Sequence, residues 1–333
     1  MSLFDWHTLS DEVWVRAVKR TLYHKKHRTM RNSAKGKNLG LLFFNSSLRT
    51  RTSMELAAHE LGAHVTTLNV GQGVWGMEWQ PDVKMDAGAA EHIKEAVGVL
   101  SRYYDALGVR VFAEFSDYER DKQEQRIKAV IDAATVPIVN LESAFYHPCQ
   151  ALGDAGTLAS HFNGRTAGKT FMLTWAYHPK PLPMAVPNSA LLTAARLGMN
   201  VVVARPEGYA LDPDVMNVAR SYAAARNASI IEVDDPDAGY ENADIVYAKA
   251  WGGPMAYTDP EGEAITRAGL KEWRVTAPRM LRTNEAGFMH CLPVRRNVVV
   301  DDAVLDHPTS LHLDQAEFRL HAQKAVLELV WGL

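Results

Sequence analysis

The sequence predicts an α/β chain made of two doubly wound parallel-sheet domains joined by bridging helices. Three observations carry this expectation. Short apolar runs alternate with amphipathic helical patterns, as strands of a parallel sheet alternate with the helices that cover them. The alternation runs twice, once in each half. A length of 333 residues suits two domains at about 150 residues apiece.

In the first half, Leu39–Phe44, His64–Leu68, Leu107–Val111 and Val136–Asn140 read as strands. Helices are expected where Met54, Ala57, Ala58 and Leu61 share a face, and likewise Ile93, Ala96, Val97 and Leu100. Ile127, Val130, Ile131 and Ala134 mark a third. In the second half, Thr170–Thr174, Val201–Ala204, Ile230–Val233 and Asp244–Tyr247 are strands, with Ser310–Leu313 as a late one. Asp212–Arg226 and Ala316–Leu329 read as helices. The expected domains are 1–145 and 146–314, with a bridging helix near His147. The C-terminal helix, 315–333, is expected to pack back on the first domain. The segment His178–Pro187 holds four prolines and reads as a stiff loop, neither helix nor central strand. It follows a strand's carboxyl end, where ligand sites of α/β sheets lie.

Bulk composition narrows the function. Apolar residues at 47% and charged residues at 23% describe a globular chain with a full core. A net charge of −3 and the lack of a basic block argue against nucleic acid or an anionic membrane as partner. No apolar run approaches the roughly 18 residues of a membrane span. The first fourteen residues mix Asp5, His7, Asp11 and Glu12 with apolar ones, unlike a signal peptide. Two cysteines, Cys149 and Cys291, make no disulfide framework and suit the cytoplasm.

The most informative segment is Phe43-Phe44-Asn45-Ser46-Ser47-Leu48-Arg49-Thr50-Arg51. A strand turning through hydroxyl residues into a helix presents free backbone N–H groups, a ready anion site. Arg49 and Arg51 add forked donors suited to phosphate. Two other glycine patterns look like nucleotide motifs and fail on context. Gly71-x-Gly73-x-x-Gly76 leads into Trp75, Trp79 and Pro81 rather than a helix, and reads as a mobile loop with exposed aromatics. Gly164–Thr170 is one residue short of a P-loop and precedes its strand. His147-Pro148-Cys149-Gln150 and His290-Cys291-Leu292-Pro293 lack metal-ligand spacing, and leave open a Cys–His nucleophile or backbone-lined binding loops.

Taken in order, these segments resemble a known family. Ser47-Leu48-Arg49-Thr50-Arg51 is similar to the carbamoyl-phosphate signature of the transcarbamylases. His147-Pro148-Cys149-Gln150 resembles their second motif, His290-Cys291-Leu292-Pro293 the ornithine-type third, and Glu317-Phe318-Arg319 the late arginine motif. The Ser-Met-Gly loop of ordinary ornithine enzymes is replaced by Ala-Trp-Gly-Gly-Pro after Tyr247-Ala248-Lys249. That change, the proline-rich loop and the Trp75 loop resemble the N-acylornithine branch.

The resemblance implies transfer of a carbamoyl group from carbamoyl phosphate to the δ-amine of an N-acyl-L-ornithine, in arginine biosynthesis, with no metal or organic cofactor. It places Ser47, Leu48, Arg49, Thr50, Trp75, Arg110, His147, Pro148, Cys149, Gln150, Cys291, Leu292 and Arg319 on carbamoyl phosphate. Catalysis falls to Arg49, His147 and Arg319. Glu142, His178, Lys249, Leu292, Arg295 and Ala90 fall on the acylornithine. Trp75 is expected to reach a neighbouring subunit's site, in a homotrimer. Acetyl-specific relatives carry a glutamate where Ala90 aligns, and alanine leaves room for a second carboxylate, so N-succinyl- is expected over N-acetyl-L-ornithine. The rival readings are an ordinary ornithine carbamoyltransferase and a non-catalytic carbamoyl-phosphate-binding homologue.

Overall fold

The structure, a computed structural model, describes residues 1–86 and 88–333. The chain forms two compact units. Unit 1 comprises Met1–Gly153 and Phe318–Leu333, and unit 2 comprises Asp154–Glu317. The chain leaves unit 1 within helix Pro148–His161 and returns within helix His312–Trp331.

Unit 1 is built on four parallel strands in the order His64–Asn69, Asn38–Phe43, Ala106–Arg110, Ile138–Glu142. Ala106–Arg110 and Ile138–Glu142 are buried along their whole length, which is why they read as continuous rather than alternating apolar runs. Helices Ile93–Tyr103 and Gln125–Ala133 cover the sheet, with Val97, Ile127 and Val130 in one core cluster with Leu107 and Val109. Helix Asp11–Lys26 was not expected from the sequence, although its signals are present. Ser10 caps it, Asp11 and Glu12 occupy the first turn, and Trp14, Ala17, Val18 and Thr21 form the buried face.

The C-terminal helix is pinned within unit 1 by buried ion pairs. Lys324, with no exposed surface, donates to Glu60 at 2.6 Å. Glu328 accepts from Arg20 at 2.5 and 2.6 Å, and lies 2.8 Å from His24. Burial alone would raise the Glu328 carboxyl. The hydrogen bonds and charges of Arg20 and His24 outweigh that and hold it at about 2. These pairs fix the helix that carries Arg319.

Unit 2 holds five parallel strands in the order Gly287–Met289, Ile245–Lys249, Thr170–Trp175, Asn200–Ala204, Ile230–Val233. Helix Ala185–Arg196 is buried at every position, and Pro213–Ala224 follows with Asp212 as its cap. Two expectations are corrected here. Ser310–Leu313 is not a strand. Ser310 makes one isolated bridge to Phe288, and the helix begins at His312. Its neighbour Gly287–Met289 is the strand, although only three residues long. The proline-rich loop also ends sooner than expected. Pro187 sits in the first turn of helix Ala185–Arg196, where a missing N–H costs nothing. Among the described residues no helix is long and apolar enough to cross a membrane.

Candidate active site

In unit 1, the chemistry gathers where strands end and helices begin. Helix Arg49–Glu60 starts directly after the turn that follows strand Asn38–Phe43. Ser47 Oγ accepts the Thr50 N–H at 3.1 Å, so the hydroxyl does cap the helix. The first N–H groups of a helix have no intrahelical carbonyl partner, which is what suits such a turn to an anion. Leu48 is 71% exposed, so its contribution to a ligand is its backbone. Arg51 turns away. It pairs with Glu55 at 3.1 Å, one helical turn on, and Glu55 is also held by Thr67, so the expected pair of phosphate arginines reduces to Arg49.

Two further arginines meet on Thr50. Arg319 donates to its Oγ1 at 2.7 Å and Arg110 at 3.4 Å. With two guanidinium groups donating to the lone pairs of its oxygen, the hydroxyl proton is directed outward as a donor. Arg319 also donates to Gln150 Oε1 at 2.6 Å, which turns that side chain's NH₂ away from the arginine. Arg110 lies over the Phe112 ring at 4.4 Å and donates to Glu142. A register shift puts Arg110 opposite Glu142 instead of Leu141, so a bulge at the sheet's carboxyl edge aims that carboxylate at the arginine. Glu142 also lies 3.3 Å from His147 Nε2. Expected among the acceptor residues, Glu142 thus belongs to unit 1 and contacts two residues expected on the donor. Arg110, Glu142, His147, Gln150 and Arg319 are all at most 8% exposed, so their charges act in a poorly hydrated setting.

Helix Pro148–His161 follows His147 at once. The Pro148 carbonyl accepts from Trp6 Nε1 at 2.8 Å, and Cys149 is fully buried with its thiol toward the Asn140 carbonyl at 3.8 Å. Burial pushes the Cys149 thiol up to about 12. A thiol so placed is no nucleophile, which closes the Cys–His reading for this motif. Pro148 and Cys149 shape the turn rather than offering side chains to a ligand.

In unit 2, His178 follows strand Thr170–Trp175, while Lys249 ends the adjacent strand and is paired in register with Trp175. Arg295 Nε–H donates to His178 Nε2 at 3.2 Å, and Nδ1 faces both the carbonyl and the N–H of Lys180, at 2.9 and 3.1 Å. Accepting from the arginine requires a lone pair on Nε2, so this contact favours the neutral imidazole. Burial lowers its pKa, and the cations Lys249, Arg295 and Arg267 lower it further. Arg267, 1% exposed, is held by Glu263 beneath the Trp175 and Tyr209 rings, 5.7 and 5.3 Å from their centroids. Among the described residues the Lys249 ammonium, 8% exposed, has no hydrogen-bond or ion-pair partner. A buried cation without an anion is costly, so this one marks a place for a ligand carboxylate.

The third motif closes strand Gly287–Met289. Leu292 has a left-handed backbone (φ 58°) and its bond to Pro293 is cis. Its N–H donates to His290 Nδ1 at 2.9 Å, and the His290 N–H donates to Gln315 Oε1 at 2.9 Å. Gln315 in turn donates to Asp154 at 2.7 Å. Gln315 was missed from sequence because a glutamine early in a helix carries no signal of a partner 25 residues away. Cys291 is half-buried, so its carbonyl region is reachable.

Trp75 is 69% exposed and Ala90 is also exposed, immediately before Glu91–His92. Trp79, expected as an exposed loop aromatic, instead packs partly buried against the unit 1 core. Gly71 and Gly73 have positive φ in a turn that runs into the short strand Met77–Glu78, with no helix to receive a pyrophosphate. Gly164 and Gly168 likewise form a turn entering strand Thr170–Trp175. Among the described residues no group of three histidine, cysteine or acidic side chains converges as metal ligands.

Comparison with known proteins connects the two units. Residues 2–160 match the family model for the carbamoyl-P binding domain of aspartate/ornithine carbamoyltransferase, and residues 184–330 the model for its Asp/Orn binding domain. The chain is 41% identical over 332 residues to the N-acetylornithine carbamoyltransferase of Xanthomonas campestris pv. campestris, covering 98% of each chain. It is 39% identical over 301 residues to the N-succinylornithine carbamoyltransferase of Bacteroides thetaiotaomicron, covering 90% of this chain and 89% of the relative. Its fold matches a crystal structure of N-acetyl-L-ornithine transcarbamylase with TM-score 0.95, 39% identity and 99% of both chains covered. In that crystal one glutamate is replaced by alanine, and the protein is complexed with carbamyl phosphate and N-succinyl-L-norvaline. The chain belongs to the aspartate/ornithine carbamoyltransferase family.

Proposed function

We propose that this chain transfers the carbamoyl group of carbamoyl phosphate to the δ-amine of an N-acyl-L-ornithine, releasing phosphate and an N-acyl-L-citrulline, and that it prefers the succinyl to the acetyl substrate. The observation that carries the reading is the meeting of Arg110 and Arg319 on Thr50, at the helix start that also bears Ser47 and Arg49. That is a cradle for a phosphate joined to a polarised carbonyl.

The donor falls to unit 1. Backbone and side-chain donors of the Ser47–Thr50 turn, Arg49 among them, hold the phosphate with Arg110 beside them. Thr50, His147 and Arg319 donate to the carbonyl oxygen, where negative charge grows as the amine attacks. Gln150 receives the carbamoyl NH₂. Each donor is fixed before the reaction by the contacts described above, so little reorganisation is needed. The acyl phosphate is already activated, and catalysis reduces to positioning and charge stabilisation.

The acceptor falls to unit 2. Lys249 and Arg295 meet substrate carboxylates, with His178 neutral between Arg295 and the Lys180 carbonyl. The Cys291 and Leu292 carbonyls serve as acceptors for N–H groups. Glu142, in unit 1, offers a negative group for the δ-ammonium before it loses its proton.

The succinyl preference rests on Ala90. The acetyl-enzyme variant that has alanine in place of a glutamate was crystallised with N-succinyl-L-norvaline. Alanine at the aligned position here removes a like charge from the path of a second carboxylate. Exposed Trp75 is read as a residue lent to a neighbouring subunit, with a trimer as the active unit.

The test is a product assay. Carbamoyl phosphate and N-succinyl-L-ornithine should give stoichiometric phosphate and a ureido product, and Arg49→Ala should abolish both. Binding of carbamoyl phosphate without any ureido product from the succinyl, acetyl or free ornithine would contradict the reading. Sedimentation of the purified protein as a monomer would contradict the trimer.

A further inference from the structure

Glu124 takes no part in the chemistry above, yet it is among the most constrained acids in unit 1. It stands between helices Tyr118–Lys122 and Gln125–Ala133 with a left-handed backbone, φ 58° and ψ 36°, and is 4% exposed. Its carboxylate spans about twenty residues of sequence to reach one turn. It accepts the N–H of Phe145 at 2.8 Å, the N–H of Ala144 at 3.1 Å and the hydroxyl of Ser143 at 2.5 Å. Asn140 completes the set by donating to Ser143 Oγ at 2.8 Å. That turn is the segment between Glu142 and His147. Asp121, three residues earlier, accepts the N–H groups of Glu114 and Phe115, each at 3.1 Å, in the loop that follows Arg110. Two acids on one helical junction thus tie down the loops at two neighbouring strand ends.

We propose that Glu124 is a positioning residue for carbamoyl transfer, its carboxylate holding the Ser143–Phe145 turn so that Glu142 and His147 keep their places. The inference rests on the proposed function. The turn satisfies the Ser143 N–H itself, through the Tyr146 carbonyl at 2.9 Å, but the N–H groups of Ala144 and Phe145 go to the carboxylate, which with the Ser143 hydroxyl accepts three donors where a neutral side chain accepts fewer. The charge is held at a cost. Burial pushes the Glu124 carboxyl up to about 7, and the nearby Asp121 carboxylate adds to the rise. A group serving stability alone would be replaced with gain by a neutral one.

The experiment compares wild type, Glu124→Gln, Ser143→Ala and the double variant at pH 8, reading kcat, KM for carbamoyl phosphate and melting temperature. Wild-type turnover establishes the proposed function independently of the variants. Glu124→Gln should then lower kcat by about tenfold or more, as small misplacements of reacting groups do, with KM within about threefold. Its melting temperature should stay at or above that of wild type. Ser143→Ala should lose less, and the double variant should be no worse than Glu124→Gln, because both act through one turn. Wild-type kcat in folded Glu124→Gln would overturn the proposal. So would losses that add in the double variant, or losses of kcat that simply follow melting temperature. If Glu124→Gln does not fold, Ser143→Ala decides, with a kcat loss at unchanged KM in favour and wild-type kcat against.

Discussion

The charged groups expected on the two substrates are arranged in opposite ways. In unit 1 each buried arginine has a partner in place, Arg110 on Glu142 and Thr50, Arg319 on Thr50 and Gln150. In unit 2 Lys249 has no hydrogen-bond or ion-pair partner among the described residues, and Arg295 leans on a neutral imidazole. The difference follows from what each set of residues is proposed to bind. A fixed geometry serves a small donor whose reaction depends on alignment. Uncompensated positive charge serves an acceptor that brings its own carboxylates. On that proposal unit 1 serves rate and unit 2 selection, and the two should respond differently to mutation, salt and pH.

The largest effect should come from Arg319→Ala. Loss of one oxyanion donor costs about 2.7–4 kcal/mol of barrier, so kcat should fall by about a hundredfold to a thousandfold. A fall confined to KM in steady-state kinetics would mean that Arg319 only binds. Lys249→Met should act on the other quantity. A hydrogen bond to a charged group is worth about 1.5–3 kcal/mol, so KM for the acylornithine should rise by roughly tenfold to a hundredfold, with KM for carbamoyl phosphate little changed. Equal effects on both substrates would erase the contrast between the units. Salt should sharpen it more gently. Raising ionic strength should raise KM for the acylornithine more than KM for carbamoyl phosphate, because Arg295 on the acceptor side is exposed whereas Arg110 and Arg319 on the donor side are buried.

The smallest effect concerns stability. Glu328 has a lowered carboxyl, about 2 in the folded chain against 4.5 ordinarily. Its contribution is present above pH ~4.5 and lost as pH falls toward 2. Glu124 works in the opposite sense. With a folded value of about 7, the protonated form favours folding, and that advantage is lost as pH rises from ~4.5 through 7. Melting scans should show Glu328→Gln flattening the acid limb and Glu124→Gln flattening the slope between pH 5 and 7. No change in either slope would contradict the burial argument.

How much of this was legible in the sequence depended on the range of the interactions. Strands buried on both faces announced themselves as apolar runs, and the turn Asn45–Thr50 announced a helix start through its hydroxyls. Arg49 stood out through its place in that turn, but Arg110 and Arg319, and the roles of His147 and Gln150, could be named only because ordered motifs resembled a family. Spacing alone does not bring residue 319 to residue 50. The misses differ in cause. Gly287–Met289 is too short to show a period and Ser310 pairs through a single bridge, whereas Arg51 is engaged by Glu55 one helical turn on, a spacing the sequence does display. Gln315 and Glu124 act through backbone groups far along the chain and Asp121 through nearer ones, and such partners leave no pattern in composition or periodicity. The acceptor side was read least directly, since Ala90 matters through a charge it lacks.

The most direct test of the account is the ratio of kcat/KM for N-succinyl-L-ornithine to that for N-acetyl-L-ornithine, measured in wild type and in Ala90→Glu, with free ornithine as the third acceptor. The account predicts a ratio above one in wild type, a ratio at least about tenfold lower in Ala90→Glu, as a like charge facing the second carboxylate requires, and little turnover of free ornithine in either. An acetyl preference in wild type that Ala90→Glu leaves unchanged would contradict the succinyl assignment, and preferred turnover of free ornithine would contradict the N-acylornithine reading itself.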